Sequence, residues 1–328
     1  MKTGTKRFAG IAIMLAAGAL LGGCSVPKFL QEPFEKGVYE DIMERQAQGV
    51  PVEEDTLKNL PSMTAADYEK LGDTYLTRGQ MGLARSKYQK ALELHPGDWK
   101  LEYKIGTVYL RQDMPGEALP YFQSMTRHDP SNSRGWEGEG RALLATKDHE
   151  GAEAALKKAV RLESGNWKAQ QALGMLYDDL GRPDDAIVAY KAALRVRPVE
   201  ASILNNLGVA YYLKKDYPQS IETLEKALRT ARPEDRRRVY NNLGRAYARS
   251  GQYPRAVDSF RRGSELAVAY NNVGIVLLEQ DKPSEAAGCF EKAMKVSTHF
   301  YAAAQENLVI ARDRAKAGGS GRGETACP

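Results

Sequence analysis

The chain has 328 residues, of which 42% are apolar and 27% charged. This composition is that of a folded protein and excludes a disordered polymer. The net charge of +5 is too small to indicate a nucleic-acid-binding protein, and three cysteines are too few for a disulfide framework.

The first residues have the layout of a secretory signal. Lys2, Lys6 and Arg7 precede an apolar run from Phe8 to Gly23. The run is 16 residues long, which is short of the roughly 20 that a membrane span requires.

The sequence LGGC, residues 21–24, resembles the lipobox of bacterial lipoproteins. This resemblance implies that residues 1–23 are a signal peptide and that Cys24 is lipidated. A short uncleaved anchor with an incidental cysteine is the alternative. Two or more acyl chains hold a protein stably on a bilayer, so the resemblance implies a protein of the cell envelope.

Ser25 stands where an aspartate commonly marks retention in the inner membrane in this lipoprotein family. The resemblance therefore implies an outer-membrane lipoprotein that faces the periplasm, rather than an inner-membrane one. Residues 24–63 contain four prolines and are interpreted as a tether or linker, with at most one short helix from Glu35 to Gln46.

Seven glycines mark an internal repeat, which is the first feature to look for in a long chain. They are Gly72, Gly106, Gly140, Gly174, Gly208, Gly244 and Gly274, at spacings of 34, 34, 34, 34, 36 and 30 residues. With Ala65 as position 1, each glycine occupies position 8. Position 20 is alanine or serine in every repeat, and position 24 is always large.

These positions predict two antiparallel helices in each repeat. Positions 4, 7, 8 and 11 share one face of the first helix and form an apolar stripe. A small residue at position 8 facing a small residue at position 20 lets the helices approach closely, while the side chains at positions 11 and 24 fill the space above them. Pro96, Pro130 and Pro198 end three of the second helices.

This pattern resembles the tetratricopeptide repeat over residues 64–300. The resemblance implies an all-α, right-handed superhelical solenoid of seven helix–turn–helix repeats. Residues 301–316 are predicted to form a capping helix, as the end of a solenoid requires, and residues 317–328 a disordered tail. In this family, positions 2, 6, 9 and 13 of the first helix line a concave groove.

Three consecutive repeats carry paired asparagines in the sequences LNNLG, YNNLG and YNNVG, although asparagine is a poor helix former. Asn206, Asn242 and Asn272 occupy position 6, and Asn205, Asn241 and Asn271 occupy position 5. Because an amide both donates and accepts, such a series can pair with the backbone of an extended peptide. The alternative is a solvated helix face. Arg245, at position 9 of repeat six, is included in this candidate peptide-binding groove.

The corresponding positions of repeats two to four are basic. They carry Lys100, Lys104, Arg111, Arg134, Arg141 and Lys168, against Glu137, Asp178 and Asp179. Such a groove steers an acidic partner segment, although a scattered set of solvated charges is an equally simple interpretation. Of these residues, Lys100, Lys104 and Arg141 are taken as candidate peptide contacts.

No arrangement of residues in the sequence indicates catalysis, a metal site or a cofactor, and none is expected. The four histidines, His95, His128, His149 and His299, fall in turns between helices. Cys289 precedes the large residue at position 24 of repeat seven, and Cys327 lies in the tail. A disulfide between these two cysteines is left open.

The expected function is therefore a lipid-anchored scaffold outside the cytoplasm that binds a protein or an extended peptide, and neither nucleic acid nor a substrate. Among lipoproteins of this architecture, the chain resembles tight-adherence (Flp) pilus assembly lipoproteins and secretin pilotins. This implies a role in assembling a pilus or secretion machine. An envelope adaptor for peptidoglycan-modifying enzymes and an unrecognised enzyme are the alternatives.

Overall fold

The computed structural model describes residues 63–317 and Cys327. Within residues 63–317 it contains fifteen helices and no strand, which confirms the predicted all-α fold class. The predicted signal peptide, the lipidation site at Cys24, residues 24–62 of the linker and most of the tail lie outside the described residues.

Each repeat contains a first helix, here called an A helix, and a second, called a B helix. The A helices are α1 (Ala65–Thr77), α3 (Trp99–Arg111), α5 (Ser133–Ala145), α7 (Trp167–Asp179), α9 (Ala201–Leu213), α11 (Pro233–Arg249) and α13 (Leu266–Glu279). The B helices are α2 (Met81–Leu94), α4 (Pro115–His128), α6 (His149–Leu162), α8 (Pro183–Val196), α10 (Tyr217–Thr230), α12 (Tyr253–Gly263) and α14 (Pro283–Val296). A final helix, α15 (Ala302–Ala317), packs against α14 in the segment where a capping helix was predicted.

Local sequence determines where many of these helices begin. The side chains of Asp98, Asn132 and Asn166 accept hydrogen bonds from backbone N–H groups in the first turns of α3, α5 and α7. These bonds satisfy donors that have no partner within the helix. Proline opens α4 and α8, where its missing N–H removes no helical hydrogen bond.

The glycine at position 8 lies directly under the large side chain at position 24. A Cβ atom on Gly174, for example, would lie 2.4 Å from the Tyr190 ring. The same relationship recurs in all seven repeats, with Tyr88, Phe122, Leu156, Tyr190, Leu224, Phe260 and Phe290 against their glycines. All seven of these side chains are buried, so the close packing of the A and B helices builds the core of every repeat.

The repeat pattern predicts that the small residue at position 20 faces this glycine. In repeat five that contact is a hydrogen bond, because Ser220 Oγ donates to the backbone carbonyl of Gly208 at 2.7 Å. The large side chain at position 24 therefore covers the glycine directly, and in repeat five Ser220 contacts the backbone beside it.

The turn between the A and B helices has the same backbone conformation in every repeat. Position 15 has a positive φ in all seven cases: Gly79, Asp113, Lys147, Gly181, Lys215, Gly251 and Asp281. Glycine adopts this left-handed conformation without penalty, whereas lysine and aspartate do so at a cost.

A disulfide lies at the C-terminal end of the described region. Cys289 and Cys327 form a disulfide, with their Cα atoms 4.9 Å apart, which settles the pairing that the sequence left open.

None of the helices between residues 63 and 317 is long and apolar enough to cross a membrane.

Candidate peptide-binding face

The face of the A helices opposite the apolar stripe is the candidate functional surface. It is formed by positions 2, 6, 9 and 13 and is called the inner face below. Neighbouring A helices contact one another along the solenoid, for example α5 with α7 and α7 with α9. Side chains from successive repeats therefore form one continuous surface.

The paired asparagines connect neighbouring A helices. Asn242 donates through Nδ2 to Oδ1 of Asn205 at 2.9 Å, and Asn307 of α15 donates to Asn271 at 3.0 Å. In the first case a position 6 amide bonds to the position 5 amide of the preceding repeat, and in the second an amide of the final helix bonds to the position 5 amide of repeat seven. Asn205 and Asn271 are buried, at 3% and 5% exposure. They are therefore committed to contacts within the solenoid.

One link in this series is missing, at the junction of repeats six and seven. The Oδ1 atom of Asn241 is buried and has no hydrogen-bond partner among the described residues. Repeat six is four residues short, and its α12 ends at Gly263, where an added Cβ would lie 2.7 Å from that same oxygen. The missing bond thus falls at the repeat that is four residues short, where Asn272 has no bond to Asn241.

The position 6 asparagines are the accessible members of the set. Asn206, Asn242 and Asn272 are all half-buried. Asn206 accepts from Asn205 Nδ2 at 3.2 Å, and Asn242 donates to Asn205 Oδ1 at 2.9 Å. A role in peptide binding stays a prediction for all six asparagines, and of the position 6 asparagines only Asn272 has no hydrogen-bond partner among the described residues.

Lys104 is not a free cation. Its Nζ lies 2.7 Å from Asp73 Oδ1 and 2.8 Å from Glu69 Oε1, both of which belong to the preceding A helix. Burial lowers the pKa of Lys104, but the bonds to Asp73 and Glu69 outweigh it and the net change is upward. The side chain is thus neutralised within the solenoid.

A second group on the inner face is organised around a buried carboxylate and is called the Glu137 cluster. Glu137 is 1% exposed and accepts from Tyr103 Oη at 2.7 Å and from Arg141 Nη1 at 2.8 Å. Lys168 Nζ in turn donates to Tyr103 Oη at 3.0 Å. Three successive A helices, α3, α5 and α7, are joined by these contacts.

Positive charge exceeds negative charge in the Glu137 cluster. Burial lowers the pKa of Lys168, and the Glu137 carboxylate opposes that change. The positive charges of Arg141, Arg134 and Arg111 lower it further. Glu137 is thus the one carboxylate of the cluster, against the cations Arg141 and Lys168, while Arg111 and Arg134, which also act on the pKa of Lys168, are exposed to solvent.

Aromatic rings support these cations. The Arg134 guanidinium lies 5.7 Å from the centre of the Trp99 ring, and Lys100 Nζ lies 5.9 Å from the same ring. Lys168 lies 5.3 Å from the Tyr103 ring. Such contacts orient a cation without neutralising it.

The inner face becomes apolar beyond the Glu137 cluster. Position 9 is Arg141 in repeat three, Met175 in repeat four and Val209 in repeat five. Met175 is 45% exposed, and Leu213, one turn after Val209, is 46% exposed. These residues were not predicted from the sequence, although apolar side chains at position 9 could have indicated an apolar inner face.

Arg245 interrupts this apolar surface at repeat six. Its guanidinium lies 5.0 Å from the centre of the Tyr212 ring, and its side chain is exposed. Ile275 follows at position 9 of repeat seven and is also exposed.

Asp178 lies on α7 beside this surface. Tyr190 Oη donates to its Oδ2 at 2.8 Å, whereas its Oδ1 is buried without a partner among the described residues. Burial raises the pKa of Asp178 to about 6, and the bond from Tyr190 only partly opposes that change. Within residues 63–317 and Cys327, no group of three or more His, Cys, Asp or Glu side chains is placed to hold a metal ion.

Helix pairs closed by glycine at position 8 and a large residue at position 24, stacked in series, define a tetratricopeptide solenoid. The sequence profile of the cilia and flagella-associated protein 70 C-terminal domain, a tetratricopeptide-repeat family, matches residues 40–287. The chain belongs to this family.

Individual relatives are distant. Anaphase-promoting complex subunit 3 of Schizosaccharomyces pombe is 24% identical over 235 residues, which cover 59% of this chain and 34% of that protein. The type IV pilus assembly protein PilF of Pseudomonas aeruginosa is 25% identical over 158 residues, covering 48% of this chain and 51% of PilF. The chain spans about a third of the length of the first curated relatives it matches.

Solved structures show the same fold. The Cut9–Hcn1 tetramer of the anaphase-promoting complex matches with a TM-score of 0.56 at 22% identity, over 75% of this chain and 48% of that one. A thermophilic tetratricopeptide protein of Thermus thermophilus matches with a TM-score of 0.51 at 22% identity, over 55% of this chain and 99% of that one. Proteins of this class are typically non-catalytic scaffolds that bind proteins or peptides.

Proposed function

We propose that this chain is a lipid-anchored scaffold of the cell envelope, without catalytic activity, that binds a protein segment on its inner face. The observation that carries the binding role is the Glu137 cluster, where ordered but unneutralised cations face solvent on a continuous surface. The leader with LGGC at residues 21–24 supports the anchor at Cys24. An outer-membrane position facing the periplasm is part of this proposal.

The partner is proposed to be a component of a pilus or secretion machine. The similarity to PilF, named as a type IV pilus assembly protein, supports this choice over other envelope roles. The lipid would hold the solenoid at the membrane while its inner face engages the partner.

The anchor is tested by expressing the full chain and a Cys24→Ser variant in the source organism or a close relative. We expect wild type to incorporate labelled palmitate and to fractionate with the outer membrane, and the variant to do neither. Equal fractionation of both forms would contradict the lipid anchor, and recovery with the inner membrane would contradict the proposed position.

The partner is tested by crosslinking in intact cells, followed by purification of the chain and mass spectrometry. A pilus or secretion component crosslinked to wild type, and reduced in an Asn272→Ala variant or an Arg134→Gln, Lys168→Gln variant, supports the proposal. Asn206 and Asn242 are left intact, because both bond to Asn205 and their loss would disturb the solenoid. Capture of peptidoglycan-modifying enzymes instead would favour the adaptor role.

A further inference from the structure

The inner face contains two adjoining regions of different chemistry, and together they specify a ligand. The first is the Glu137 cluster on α3, α5 and α7. The second is the apolar surface of Met175, Val209 and Leu213 on α7 and α9, called the apolar shelf. Lys168 and Met175 lie seven residues, or about two turns, apart on α7, so they occupy the same side of that helix. The two regions therefore adjoin.

The Glu137 cluster has an excess of positive charge that a bound anion would neutralise. Glu137 already accepts bonds from both Tyr103 and Arg141, and it is fully enclosed. Arg134 and Arg111 are exposed, and no carboxylate among the described residues forms an ion pair with them. Carboxylates of a bound segment would complete the cluster through charge-assisted hydrogen bonds.

The apolar shelf leaves apolar side chains exposed to water. The side chains of Met175 and Leu213 remain nearly half exposed, although each lies on a helix whose other face is buried. Covering them with aliphatic side chains would remove apolar surface from water, which is favourable.

The spacing of the two regions sets the register of the ligand. Packed helices lie about 10 Å apart, and an extended chain advances about 3.3 Å per residue. One repeat of the inner face therefore corresponds to roughly three residues of an extended peptide. The shelf begins one repeat from Arg141 and continues into the next.

We propose that the inner face binds an extended segment of a partner protein that carries two or three acidic residues on the Glu137 cluster and aliphatic residues about three to six positions away on the apolar shelf. This inference rests on the proposed scaffold role and specifies the chemistry of its partner. Neither region alone accounts for the ligand, because charge steers the encounter and apolar burial retains it.

The test uses a fluorescent peptide of three glutamates, a three-residue Ser/Gly spacer and three leucines, together with its reversed sequence. Two further peptides replace the glutamates by glutamine or the leucines by serine. Binding to the purified full chain in detergent is measured by fluorescence anisotropy at fixed ionic strength. We expect one of the two mixed peptides to bind more tightly than both substituted peptides.

Two variants test which region of the inner face binds the acidic half of the peptide and which binds the apolar half. Arg134→Gln with Lys168→Gln should weaken the mixed peptide roughly tenfold and leave the glutamine peptide unchanged. Met175→Ser should weaken the mixed peptide by roughly three- to tenfold and leave the serine peptide unchanged. Lys226→Gln with Arg229→Gln, which removes two exposed charges from α10, is the matched control and should change nothing.

Equal binding of the mixed and serine peptides would overturn the two-part ligand, and so would equal effects of the test and control variants. Binding of vesicles containing phosphatidylglycerol, lost in Arg134→Gln with Lys168→Gln while no peptide binds, would assign the cluster to a membrane surface and overturn the proposal. If no peptide binds but a pilus component is still crosslinked, the scaffold role stands and this ligand is wrong.

Discussion

Asn242 donates its side-chain amide to the buried Oδ1 of Asn205 at 2.9 Å and so joins α11 to α9. This contact explains why a helix retains two adjacent asparagines. Their cost in helix propensity is several tenths of a kcal/mol each. A buried amide with satisfied partners repays that cost by linking neighbouring repeats.

Replacement of Asn205 by alanine is expected to lower the free energy of unfolding by about 1 to 3 kcal/mol, since it removes the acceptor of Asn242 from a buried site. Asn272→Ala is the matched control. Asn272 is half-buried and has no hydrogen-bond partner among the described residues, so the substitution should be nearly neutral. Urea unfolding followed by circular dichroism measures both, and equal losses would contradict the inter-repeat role of Asn205.

These asparagines show which features of the structure could be predicted from the sequence and which could not. Periodicity alone predicted seven helix pairs and placed Asn205 and Asn206 beside the inner face. It did not predict the bond from Asn242 to Asn205, because that bond depends on the lateral register of two helices 37 residues apart. The contacts of Lys104 with Glu69 and Asp73 were missed for the same reason.

Local departures from the repeat pattern were also beyond sequence reasoning. Glu139 occupies position 7, which is usually apolar, and the structure shows its carboxylate accepting from Thr126 Oγ1 at 3.0 Å. A helical wheel shows the face of such a residue but not its partner on a neighbouring helix. The glycine contacts were predictable in outline because they recur in every repeat at fixed positions.

Adding a methyl group at position 8 should be strongly unfavourable. Gly174→Ala would place Cβ 2.4 Å from the Tyr190 ring, and such overpacking typically costs about 1 to 3 kcal/mol. Gly116→Ala in α4 is the control, because nothing lies within 4 Å of the added atom. That variant should gain up to about 1 kcal/mol from helix propensity. A Gly174→Ala variant that is as stable as Gly116→Ala would show that Tyr190 can move aside and that the contact is not limiting.

The turn at Lys215 offers a stabilising substitution. Its φ is 66°, and the left-handed conformation costs a non-glycine residue about 1 to 2 kcal/mol. Part of the gain is offset by the greater chain entropy of glycine, so Lys215→Gly should raise the free energy of unfolding by about 0.5 to 1 kcal/mol. Lys214→Gly, at φ −68°, should instead destabilise the fold. A thermal midpoint that falls for both would argue against strain at Lys215.

Asp178 should make stability depend on pH. Its pKa is raised from 3.8 to about 6 in the folded chain, so folding favours the protonated form. The carboxyl group therefore penalises the fold above about pH 6, and the penalty disappears as the pH falls toward 4. Asp178→Asn should raise the free energy of unfolding by about 1 kcal/mol at pH 7 and leave it nearly unchanged at pH 4, after discounting for partial exposure.

Denaturant titrations of wild type and Asp178→Asn at both pH values measure this difference directly. Asp184→Asn is a useful control, because Asp184 is exposed and pairs with Lys214 at 2.6 Å. It should produce no gain at pH 7. An Asp178→Asn gain that is the same at pH 4 and pH 7 would show that the carboxyl charge is not the cause.

The disulfide between Cys289 and Cys327 should stabilise the C-terminal end of the solenoid. The two residues are 38 positions apart, and a bridge that closes a loop of this size contributes about 2 to 4 kcal/mol in the chain-entropy account. The bridged loop includes all of α15, so reduction should lower amide protection in that helix first. Hydrogen exchange with and without dithiothreitol measures the change, and a Cys327→Ser variant should show the low protection in both conditions. Unchanged protection of α15 after complete reduction would mean that its packing against α14 holds the helix without the bridge.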